Sequence, residues 1–74
     1  MNVLKAINTT DRFFRINVVD LRSGKTIAQT RGNEPEKIPV SLQGMKVIYT
    51  YADACASIPF VDLWINAERK SLEY

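Results

Sequence analysis

Two short runs of strand-forming residues, separated by four turn residues, constrain the chain more than any other feature. Phe13 to Leu21 (FFRINVVDL) is rich in β-branched and aromatic types, with Phe14, Ile16 and Val18 alternating against Arg15 and Asn17. Arg22-Ser23-Gly24-Lys25 follows, and Gly24 supplies the positive φ that a tight turn requires. Thr26 to Arg31 (TIAQTR) then resumes a polar–apolar alternation. This pattern predicts a β-hairpin, so the rest of a 74-residue chain must complete a small sheet around it.

The loop Gly32-Asn33-Glu34-Pro35-Glu36 ends the hairpin. Ile38 to Leu42 (IPVSL) alternates, but Pro39 lacks a ladder donor, which predicts an edge strand or extended linker. Met45 to Ala52 (MKVIYTYA) reads as a strong strand, with Val47, Tyr49 and Tyr51 on one face and Lys46, Ile48 and Thr50 on the other. Phe60 to Ala67 (FVDLWINA) fits both period two and a helical stripe, and its density of Val, Ile, Phe and Trp favours a strand. Ala52 to Ser57 then reads as a connecting turn of helix. The expected architecture is a single β-rich α+β domain spanning 1–74. Its small antiparallel sheet has strands near 13–21, 25–31, 45–52 and 60–66, followed by a short C-terminal helix or frayed tail. The alternative is a three-stranded sheet packed by a helix at 58–72.

Composition removes most chemistry. The chain has no histidine, so the usual general base and commonest metal ligand are both missing. Its single cysteine, Cys55, rules out an intrachain disulfide or a Cys-rich zinc site. Cys55 has small neighbours and no adjacent base, which reads as a small buried hydrophobe. The three glycines are isolated at turns, so no phosphate-cradling loop exists, and no acidic run has calcium-loop spacing. A Ser–Lys pair or an Asp53–Asp62 acid–base pair is available only formally, with surface solubility groups the stronger reading. No catalytic, cofactor-binding or metal-binding residue is therefore assigned, and the expectation is a non-enzymatic binder. The N-terminus lacks signal-peptide organisation, and no stretch reaches the ~18 apolar residues of a membrane span. A lone thiol fits a reducing interior, so the expected location is the cytoplasm, with no membrane partner.

The net charge of +2 conceals an asymmetry. Residues 1–46 carry eight basic and four acidic side chains, whereas residues 47–74 carry two basic and four acidic. Phe13, Phe14, Tyr49, Tyr51, Phe60 and Trp64 are too many aromatics for so small a core, so some should point outward. Exposed aromatics beside arginines make interface hot spots, and a basic rim steers docking. Arg12, Phe13, Arg15, Arg22 and Lys25 are the expected partner contacts, with Trp64 either in the core or as an anchor. The same basic hairpin also allows a small RNA- or single-stranded-DNA-binding module, and a homodimer remains open.

With its small size, its lack of catalytic groups, the basic hairpin FFRINVVDLRSGK and an apolar tail, the chain resembles the small host-takeover proteins of lytic bacteriophages. Among these it looks most like the short regulators that bind bacterial RNA polymerase, inhibiting initiation or causing antitermination. The resemblance covers the whole chain and transfers no binding residue to a numbered position. It implies a polypeptide partner, bacterial RNA polymerase, with contacts to emerging RNA as an extension, and it places the protein in the host-cell cytoplasm.

Overall fold

The computed structural model describes residues 1–67. Helix α1 (Val3–Asn8) is followed by strands β1 (Arg15–Asp20) and β2 (Thr26–Arg31), a single 3-10 turn (Pro35–Lys37), helix α2 (Val40–Gln43), and strands β3 (Tyr49–Asp53) and β4 (Phe60–Ile65). The four strands form one sheet in the order β2-β1-β4-β3. This is a β-rich α+β architecture. The sheet is mixed rather than antiparallel, because β4 lies parallel to β1 at its centre while β2 and β3 run antiparallel outside them. The three-stranded alternative fails over its described part, since 60–65 is strand and not helix. The expected C-terminal helix or tail lies beyond the described residues.

Each element has a local cause. The six-residue α1 is too short to persist alone and is held by burying Val3, Ala6 and Ile7, which share one face at i, i+3 and i+4. The Asn2 side chain caps it by accepting from the Lys5 backbone N–H at 2.8 Å. At its other end the Thr9 and Thr10 hydroxyls donate to the carbonyls of Lys5 and Ala6. In the β1–β2 turn Gly24 has φ +71°. The backbone N–H of Asp20 donates to Lys25 O at 2.9 Å, and that of Gly24 to Asp20 O at 2.8 Å.

Pro39 does not mark an edge strand. It stands at the N-cap of α2, where a missing N–H costs nothing. Leu42 packs against the core with buried Ile38, while Val40 is 82% exposed, a helical rather than alternating spacing. The strand expected over 45–52 is regular only from Tyr49. Its first residues pair instead with the N-terminus: Val3 N–H donates to Met45 O, Val47 N–H donates to Met1 O, and Asn2 and Lys46 form an isolated bridge. The common face expected for Val47, Tyr49 and Tyr51 is therefore broken. Val47 packs against the core and the two tyrosines are exposed.

Residues 52–57 form no helix. After β3 ends, the Asp53 carboxylate accepts the Cys55 N–H at 2.9 Å and closes the connection as an Asx turn. Cys55 is exposed on that turn and not buried, because the connection projects past the sheet end instead of crossing the core.

One face of the sheet carries the core. Ile16 and Val18 of β1 join Leu63 and Ile65 of β4, closed over by Val3, Ala6 and Ile7 of α1 and by Ile38 and Met45. Among the described residues no helix lies on the opposite face.

Candidate functional site: the open face of the sheet

Strand register maps the uncovered face. Arg15, Asn17 and Val19 of β1 alternate away from Ile16 and Val18, and their partners follow them onto the same side. Three rows result. The first holds Arg31, Arg15, Phe60 and Asp53, and the second Gln29, Asn17, Asp62 and Tyr51. The third holds Thr26, Val19, Trp64 and Tyr49, with Ile27 left over at a β-bulge in the β1–β2 pairing.

The middle row is a hydrogen-bonded ladder. Gln29 Nε2 donates to Asn17 Oδ1 at 2.9 Å, and Asn17 Nδ2 donates to Asp62 Oδ1 at 2.9 Å. It ties three strands together and fixes a carboxylate near the centre of the face. Beside it the aromatics stand in two pairs. Tyr49 and Trp64 meet edge-on with centroids 6.5 Å apart, and Tyr51 tilts against Phe60 at 5.9 Å. Tyr49 and Tyr51 remain 57% and 50% exposed, whereas Val19 is buried next to Trp64.

Trp64 was expected in the core or as an anchor, and it belongs to the open face as a half-buried ring. Its indole N–H is enclosed by neighbours and has no hydrogen-bond partner among the described residues. A buried donor left unmade costs about 1–3 kcal/mol. Trp64→Phe, which removes the donor and keeps an aromatic, is therefore expected to leave stability within about 1 kcal/mol of wild type despite the lost volume. Thermal unfolding checks this, and a much larger loss would mean that the indole N–H is satisfied in solution.

The structure separates the five residues expected to contact a partner. Arg15 lies on the open face. Arg12 and Phe13 precede β1 in an exposed loop, where Arg12 reaches Glu34 at 3.2 Å and Phe13 stands edge-on to Phe14 at 5.6 Å. Arg22 and Lys25 sit in the β1–β2 turn at the opposite end of the strand, about 17 Å away along six residues. In that turn partial desolvation raises the Asp20 pKa. The Ser23 hydroxyl and the backbone N–H groups of Arg22, Ser23 and Ala67 outweigh it and hold the carboxyl below its ordinary value. The turn is thus an internally bonded acid-centred loop rather than a bare basic tip.

Asn17 and Gln29 carry no expected contact role and Asp62 only a formal one beside Asp53, although an Asn and an Asp inside strand-forming runs signal a face that is not core. A polar cleft of about 510 Å³ lined by Asn8, Thr9, Thr10, Asp11, Arg12 and Asn33 opens beside the loop before β1. A smaller one of about 200 Å³ is lined by Arg15, Gln29, Thr30, Arg31 and Lys37. Among the described residues no three His, Cys, Asp or Glu side chains gather, and no helix is long and apolar enough to cross a membrane. No protein-family model, curated protein or solved structure matches the chain.

Proposed function

We propose that this chain is a non-enzymatic protein-binding domain whose contact surface is the open face of its sheet. The observation that carries the reading is the aromatic strip of Tyr49, Tyr51, Phe60 and Trp64, raised on the strands with no helix or further strand over it among the described residues. Aromatics placed on a rigid scaffold give large contact area for little lost side-chain entropy, which is the composition of interface hot spots. The resemblance to phage regulators of transcription makes bacterial RNA polymerase the partner of choice, with inhibition or antitermination as the outcome.

A single-stranded nucleic-acid module would use the same rings as a stacking platform. Two carboxylates on this face weigh against it. Asp62 lies in register with Tyr51, and Asp53 with Phe60, where a phosphate backbone crossing the rings would be repelled.

The test is the affinity of purified bacterial RNA polymerase for the wild type and for a Tyr49→Ser/Tyr51→Ser double variant. Both tyrosines are half-exposed on an edge strand, so the variant should fold. Its binding should weaken at least about thirtyfold, the loss of roughly one hot spot. Equal affinity of the two proteins would remove the open face from the interface, and no wild-type binding would remove this partner. A steep log-linear fall in binding of single-stranded RNA with salt would favour the nucleic-acid module instead.

A further inference from the structure

The β1–β2 register sets Arg15 directly opposite Arg31 on the open face. Like charges at such positions, with Cβ atoms about 5 Å apart, work against strand pairing. Among the described residues neither guanidinium has a carboxylate partner. Glu34, the nearest acid on the following loop, is taken by Arg12 at 3.2 Å and Lys37 at 3.7 Å. Asp62, one row along, accepts from Asn17 instead, and Asp53 accepts from the Cys55 N–H at the far end of the Arg15 row. Lys37 joins the two arginines around the 200 Å³ cleft, whose remaining lining is Gln29 and Thr30. The fold thus gathers three cations at one corner, with no carboxylate on the two arginines among the described residues.

We propose that Arg15 and Arg31, with Lys37, form a carboxylate clamp that selects an acidic segment of the partner polypeptide and orients it on the aromatic face. This rests on the protein-binding reading above and specifies its partner. Guanidinium forks take carboxylates in paired, charge-assisted hydrogen bonds, and an arriving carboxylate offsets the repulsion between the two arginines. In register, Arg15 adjoins Phe60, so the clamp is continuous with the aromatic strip. Asp62 and Asp53 on the other side repel acids. The face therefore has a polarity: acidic groups at the β1–β2 side, apolar side chains over Phe60, Tyr51 and Trp64.

The experiment is an NMR titration of the labelled protein, observing arginine side-chain N–H groups together with the tyrosine and tryptophan resonances. The probes are a blocked peptide of alternating glutamate and leucine, its glutamine–leucine counterpart, and a six-nucleotide oligothymidylate. The glutamate peptide should shift both arginines and bind about tenfold more tightly than the glutamine peptide. The Arg15→Gln/Arg31→Gln variant should lose that preference while melting no lower than wild type. Equal binding of the two peptides with aromatic shifts would overturn the clamp and leave the binding face intact. Absence of arginine shifts with either peptide overturns the clamp, and absence of aromatic shifts as well counts against the binding face. Stronger arginine shifts with oligothymidylate would overturn both readings in favour of phosphate recognition.

Discussion

Gly32→Ala should destabilise the domain by about 3 kcal/mol or more, although it adds a single methyl group. Gly32 is buried just after β2, where its N–H donates to Phe14 O at 3.0 Å. A Cβ built there would overlap the backbone carbonyl oxygens of Thr10 and Asp11. Those atoms cannot swing aside. Thr10 is tied to α1 through its hydroxyl on Ala6 O and its N–H on Ile7 O. Asp11 accepts the Phe14 N–H at its carbonyl and the Phe13 N–H at its carboxylate. Next along, Asn33 sits at φ 62° and donates its N–H to Ile7 O at 2.7 Å, so the loop is pinned from both sides.

A chain of this length has a total stability of about 4–11 kcal/mol, so the loss consumes much of it. The melting temperature should fall by more than about 12 °C. Gly24→Ala is the control. Gly24 has φ +71° but nothing within 4 Å of an added Cβ, so it carries only the left-handed backbone penalty of about 1 kcal/mol. Denaturation of both variants separates the two costs, and equal losses would show that the 10–11 segment yields to the methyl group.

That contrast also marks how far the sequence reaches. The β1–β2 hairpin is legible because strand propensity, alternation and the glycine turn all lie within about twenty consecutive residues. Its bulge is not, and Val19 lies buried on the open face beside Trp64. The parallel β1–β4 pairing has no local signature, since it joins segments separated by the whole middle of the chain. Helix α1 was missed because six residues give less than two turns of periodicity, although Asn2 followed by Val3, Ala6 and Ile7 is its signal. Pro39 misled in the other direction, since the same residue suits an edge strand and a helix start.

For the site, the excess of aromatics was readable and their gathering was not. Tyr49 and Tyr51 come from β3, Phe60 and Trp64 from β4, and only the register brings them together. The basic charge of the hairpin was readable as a count, whereas its distribution over the surface was not. Of its five expected contacts, Arg15 alone lies among the face's rows, and its cross-strand neighbour there is Arg31, which only the strand register brings beside it.

Leu63→Ala should cost about 2–5 kcal/mol, while truncating the larger Tyr51 to Ala should cost only about 1 kcal/mol. Leu63 is 1% exposed on a central strand, with Val18 in register on one side and Thr50 on the other. Its removal leaves a cavity in the only core the described residues form, and little of the stability would remain. Tyr51 stands on the edge strand, half-exposed, and loses chiefly its contact with Phe60. The two residues lie on adjacent strands of one sheet with side chains on opposite faces, so the two costs compare the covered face with the open one.

Urea unfolding of both variants at several protein concentrations makes the measurement decisive. A small, concentration-independent cost for Tyr51→Ala is the result expected of a face kept open for another molecule. A cost that approaches that of Leu63→Ala and grows with protein concentration would mean that a second copy of the chain covers the rings, because association linked to folding makes stability depend on concentration. The aromatic strip would then be half of a homodimer core, and the surface left for a partner would be the cationic corner alone.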